Sequence, residues 1–93
     1  MNIIVSSLTA ESFLSGWDII RAGQFPEHIY FIKQNCVTIV SEKENIRIAD
    51  LKEGSYFGEG AIIFGVPSAY TYKAIDYLDK EVPLTKLFSM GAN

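Results

Sequence analysis

Short apolar runs separated by glycine and polar turns set the pattern of this chain. Ser12-Phe13-Leu14 ends at Ser15-Gly16, and Asp18-Ile19-Ile20-Arg21 ends at Ala22-Gly23. These read as two strands joined by a turn. Ile29-Tyr30-Phe31-Ile32 is rich in β-branched and aromatic residues and reads as a third strand. Asn35 separates it from Val37-Thr38-Ile39-Val40, because asparagine tolerates the left-handed backbone of a tight turn. Ser41 to Asn45 is polar and forms a second hairpin connection. Ile46-Arg47-Ile48 alternates as a half-buried strand does. Lys52-Glu53-Gly54 is a turn. Gly60 to Phe64 fits one helical turn, closed by Gly65 and stopped by Pro67. Tyr70-Thr71-Tyr72-Lys73-Ala74 alternates again. Val82 to Asn93 forms at most a short strand followed by a frayed tail. Closely spaced strands with one short helix point to an all-β protein, a double-sheet jelly-roll β-barrel.

Composition narrows this picture by exclusion. Ninety-three residues hold one small domain, and 48% apolar with 20% charged residues is globular rather than disordered. The net charge of -3, without a basic cluster, argues against a nucleic-acid partner. Cys36 is the only cysteine, so no internal disulfide and no cysteine metal cluster can form. Cys36 reads as a small buried hydrophobe, and Trp17 as a packing residue. The first residues lack a basic stretch of the signal-peptide kind, and no run reaches the roughly 20 apolar residues of a membrane span. His28 is a lone histidine with no ligand-spaced Asp or Cys. No nucleophile–base–acid set stands out, so the reading is a non-enzyme.

Three segments then fall into one register. Gly16-x-x-Ile19-Ile20-Arg21-x-Gly23 is followed by Tyr30-Phe31-Ile32, and then by Leu51-x-x-Gly54-Ser55-Tyr56-Phe57-Gly58-Glu59. In order and spacing the chain resembles the cyclic nucleotide-binding domain family, from about Phe13 to about Ala74. The resemblance implies an eight-stranded jelly roll carrying a phosphate-binding cassette between two strands. It implies nucleotide-binding residues Phe57, Gly58, Glu59, Gly60, Ala61, Ser68 and Ala69. Glu59 would accept the ribose 2′-hydroxyl, as an ionised carboxylate does well. The amides of Gly60, Ala61 and Ile62 at a helix start would face the phosphate. Gly58 would let the backbone approach the ligand closely.

The chain departs from the family pattern at Ser68, where the family carries an arginine for the cyclic phosphate. Arg21, Arg47 and Lys73 are poorly placed to replace it. Ala69 stands where channel members often have a hydroxyl residue. Tyr70 and Tyr72 replace small or β-branched residues, and point either into the pocket or outward. Only about 14 residues follow Asp79, so the helices that flank the family barrel are largely absent.

The resulting expectation is a single domain over residues 1–93, with its barrel over about 8–88, cut from a larger protein. It is a cyclic nucleotide-binding regulatory module, with affinity weakened by the missing arginine. The parent is a cyclic nucleotide-regulated ion channel, or else a kinase regulatory subunit. The alternative is a degenerate domain with a structural or protein-interaction role. No cofactor is implied, and the ligand is cAMP or cGMP. The parent is oligomeric, and this domain is cytoplasmic without itself contacting the membrane.

Overall fold

The computed structural model describes residues 8–75 and 84–91. The strands are β1 (Thr9–Leu14), β2 (Asp18–Ile20), β3 (His28–Gln34), β4 (Cys36–Ser41), β5 (Ile46–Leu51), β6 (Tyr56–Phe57), β7 (Thr71–Ile75) and β8 (Leu84–Gly91), with one helix, α1 (Glu59–Phe64), between β6 and β7. They form two four-stranded sheets, ordered β1-β8-β3-β6 and β2-β7-β4-β5. Every pairing is antiparallel. This is the jelly-roll arrangement, built as two open sheets rather than one closed ring.

Turn chemistry sets the register. Asn35, between β3 and β4, has φ 66°, and Asn45, before β5, has φ 54°. Both are left-handed values that asparagine tolerates better than most residues. The second hairpin tip is exposed, and the Glu44 amide donates to Ser41 Oγ at 3.3 Å.

Ile20, Ile32, Val37, Phe57 and Leu87 form the core, with Phe13, Ile19, Tyr30, Leu51 and Tyr72 packed against them. Both sheets contribute, so burying this cluster is what joins them. Hydrogen bonds also cross between sheets. The fully buried Thr85 hydroxyl of β8 lies 3.4 Å from the Cys36 carbonyl and 3.3 Å from that of Ile75.

Three expectations need correction. The expected short terminal strand is long: β8 has eight residues and lies between β1 and β3, inside its sheet, while the frayed tail expected after it lies outside the described residues. Thr85, Leu87 and Ser89 are buried in strand alternation, with Met90 buried beside them, but two of these four buried residues carry hydroxyls. Strand β5 is not half-buried through its isoleucines, since Ile46 and Ile48 are 48% and 45% exposed. It is an edge strand paired only with β4. Trp17 is 53% exposed at the turn between β1 and β2 rather than packed inside.

Candidate functional site

The chain turns sharply between β6 and α1. Gly58 makes the turn at φ 95°, and a Cβ there would sit 2.8 Å from the His28 carbonyl oxygen. Only glycine fits both the conformation and the space. Helix α1 then runs six residues with Glu59 in its first turn. Gly65 closes it in the left-handed conformation, its amide bonding to the Ala61 carbonyl. The Val66 amide reaches the same carbonyl at 3.1 Å.

The following loop is pinned to the Gly23–Gln24 turn. The Ser68 amide donates to Gln24 O at 2.7 Å, and the Gly23 amide donates to Ser68 O at 2.8 Å. The Ala22 amide donates to Thr71 Oγ1 at 3.1 Å. These bonds fold the loop back over the end of the second sheet.

A cavity of about 410 Å³ opens between α1, this loop and the two sheets. That volume lies within the range of small-molecule sites. All seven residues singled out in the sequence line it: Phe57, Gly58, Glu59, Gly60, Ala61, Ser68 and Ala69. Sequence reasoning did not assign its floor, which includes Ile20, Ile39 and Leu51. Their apolar strand pattern marks them as inward-facing, but carries no signal for a cavity.

Tyr70 and Tyr72 both border the cavity; the Tyr72 ring packs inward on the core, while Tyr70 is 39% exposed. Tyr72 stacks on Phe57 with centroids 4.8 Å apart and planes 6° apart. Phe57 stacks in turn on Tyr30 at 5.3 Å and 19°. Burial, and less strongly the charge of Glu59 and then Tyr70, push the Tyr72 phenol above its ordinary pKa. Tyr72 is therefore a neutral hydroxyl in the same field as Glu59.

Ser68 is buried, and its hydroxyl donates to the Tyr70 carbonyl at 2.7 Å. Its one proton is already used, leaving only acceptor capacity for a ligand. The candidate substitute cations lie elsewhere. Arg21 Nε is 3.3 Å from Asp18 Oδ2, and Lys73 Nζ is 3.5 Å from Asp18 Oδ1. Arg47 Nε is 3.8 Å from Asp50 Oδ1 on β5. Among the described lining residues Glu59 is the one carboxylate, and none is Lys, Arg or His. Among the described residues no group of His, Cys, Asp and Glu is arranged to hold a metal ion. No helix among them is long and apolar enough to cross a membrane.

Comparison with known proteins agrees with the fold. The cyclic nucleotide-binding domain family matches residues 10–79. The cGMP-dependent protein kinase of Plasmodium berghei is 31% identical over 70 residues, covering 75% of this chain and 8% of the kinase. The cAMP-dependent protein kinase regulatory subunit of Candida albicans is 32% identical over 73 residues, covering 78% of this chain and 16% of the subunit. The chain thus spans a small fraction of the curated relatives it matches. Among solved structures, the regulatory subunit of a cAMP-independent protein kinase A from Trypanosoma brucei superposes with TM-score 0.79 at 20% identity, over 91% of this chain and 28% of that one. The regulatory domain of Toxoplasma gondii protein kinase A, solved with cAMP, gives 0.78 at 23%, over 90% of this chain and 31% of that one. This chain belongs to the cyclic nucleotide-binding domain family.

Proposed function

We propose that this member of the family is the ligand-receiving domain of a kinase-type regulatory protein, with the cavity beside α1 as its site. The domain acts by binding and has no catalytic role. The channel parent expected from the sequence gives way to a kinase-type one, because the relatives described are kinases and kinase regulatory subunits. Residues 1–93 are read as one domain of a longer, oligomeric, cytoplasmic protein.

The observation that carries this reading is the convergence of Phe57, Gly58, Glu59, Gly60, Ala61, Ser68 and Ala69 on one cavity. In the proposed complex Glu59 accepts the ribose 2′-hydroxyl. The Gly60 and Ala61 amides, at the helix start without an intrahelical partner, face the phosphate side, whereas the Ile62 amide expected to join them donates to the Gly58 carbonyl at 3.4 Å. Six residues make a short helix and a small dipole, so these amides replace little of a missing guanidinium. Losing that charge-assisted contact costs about 2–4 kcal/mol, or roughly 30- to 1000-fold in cyclic nucleotide affinity.

Calorimetric titration with cAMP and cGMP tests the reading. Weak, saturable heat that disappears in Glu59→Ala is the expected result. Strong binding that survives Glu59→Ala would place the ligand elsewhere. A second reading, a domain with a purely structural or protein-interaction role, is favoured by the commitment of the Ser68 hydroxyl to Tyr70. It predicts no heat with any ribose-bearing ligand.

A further inference from the structure

Charge, hydrogen-bonding capacity and ring geometry in the cavity point to one ligand class. Glu59 supplies the only ionised side chain among the described lining residues. An anionic ligand would enter a largely apolar cavity holding a carboxylate and no counter-charge. Desolvation and repulsion then act in the same direction. A neutral ligand meets neither penalty.

The features that serve the rest of a nucleoside are kept. Glu59 remains as an acceptor for a ribose hydroxyl. The Phe57–Tyr72 pair is close to parallel, at 4.8 Å and 6°, and extends to Tyr30, so a column of three stacked rings ends at the cavity wall. A flat heteroaromatic ring beside Tyr72 gains stacking contact. Tyr70 adds a second phenol on the same wall. Ser68, with its proton on the Tyr70 carbonyl, offers a lone pair to a donor and nothing to a phosphate oxygen.

We propose that this cavity selects an uncharged ribonucleoside over a cyclic nucleotide. The inference rests on the cavity being the ligand site of the domain, as argued above, and adds the charge class of the ligand. The diol and the ring are recognised, and the phosphate is discriminated against.

Titrating the full 93-residue chain with adenosine, guanosine, cAMP and cGMP tests it directly, with 2′-deoxyadenosine as the control. At least one of the two nucleosides is expected to bind about tenfold or more tighter than either cyclic nucleotide. For adenosine, removing the 2′-hydroxyl should weaken binding by about tenfold. In Glu59→Gln the preference over cyclic nucleotides should narrow, since the repelling charge is gone while the side chain keeps its size. Cyclic nucleotides binding as well as or better than both nucleosides would overturn the inference and leave the site assignment standing. An unchanged preference in a folded Glu59→Gln protein would overturn its electrostatic basis. Heat from none of the ligands at millimolar concentration would overturn the site assignment, and the inference with it.

Discussion

Replacing Ser68 with arginine is the most direct perturbation of this site. Ser68 is 8% exposed and lines the cavity, so a longer side chain has about 410 Å³ of open space to enter. The substitution removes the 2.7 Å bond from the Ser68 hydroxyl to the Tyr70 carbonyl. That loss is worth about 1 kcal/mol, or a melting temperature lower by roughly 4–8 °C in a domain of this size. The backbone bonds of Ser68 to Gly23 and Gln24 are independent of the side chain and should persist. In return the cavity gains a guanidinium on the wall where the phosphate would lie. A charge-assisted contact of about 1.5–3 kcal/mol tightens cAMP or cGMP binding roughly 10- to 150-fold. Nucleoside affinity should stay level or fall, because the new cation pairs with Glu59 when no phosphate is present. Calorimetry with all four ligands reads both changes, and circular dichroism confirms the fold. Adding Glu59→Ala should abolish the gain. A folded Ser68→Arg protein with unchanged cyclic nucleotide affinity would refute the assignment of this wall to the phosphate.

Two further outcomes follow from the same geometry. Gly58→Ala forces a side chain into φ 95° and puts its Cβ 2.8 Å from a backbone carbonyl, so it should destabilise the domain by about 2–3 kcal/mol. Urea titration should show a clearly lower midpoint, and an unchanged one would mean that the turn relaxes freely. Alkaline pH should also destabilise the protein, because burial raises the pKa values of Cys36, Tyr30 and Tyr72 in the folded state. Below about pH 7.5 both states hold all three protons and the stabilisation is complete; as pH rises the unfolded chain ionises first, at Cys36 and then at the tyrosines, and stability is lost. Urea midpoints between pH 7 and 11 should fall, less steeply in Tyr72→Phe, and a flat profile would contradict the burial of these groups.

Most of the strands were legible because local signals agreed with the fold. Asn35 and Asn45 mark turns that do adopt positive φ, and Gly65 caps the helix it was expected to close. The cassette residues were singled out by resemblance to a family motif, and they line one cavity. Strand β8 was not legible, since its inward face joins Leu87 to two hydroxyl residues. Those hydroxyls are satisfied far away in sequence: Thr85 by the carbonyls of Cys36 and Ile75, and Ser89 by that of Thr9 at 3.4 Å. A polar residue whose partner lies elsewhere in the fold looks like a surface residue when read locally. The exposure of Ile46 and Ile48 was hidden for a related reason. Alternation identifies a strand, but its place at the edge of a sheet depends on what fails to pair with it.

The cassette keeps its shape without the arginine because different groups hold shape and charge. The loop from Ser68 to Thr71 is anchored by the Ser68 and Gly23 amides, by the Ser68 hydroxyl and by Thr71 Oγ1. None of these bonds involves an ionised side chain, and none needs a ligand. Phosphate recognition, by contrast, depends chiefly on one cation at one position. A single substitution there can change the ligand's charge class while the backbone stays put. In this chain the serine goes further, because its hydroxyl takes up a bond inside the loop that an arginine could not make in the same way. The Ser68 proton thus holds its own loop through the Tyr70 carbonyl. Ligand identity is therefore better read from the side chains that line this cavity than from the fold that surrounds it.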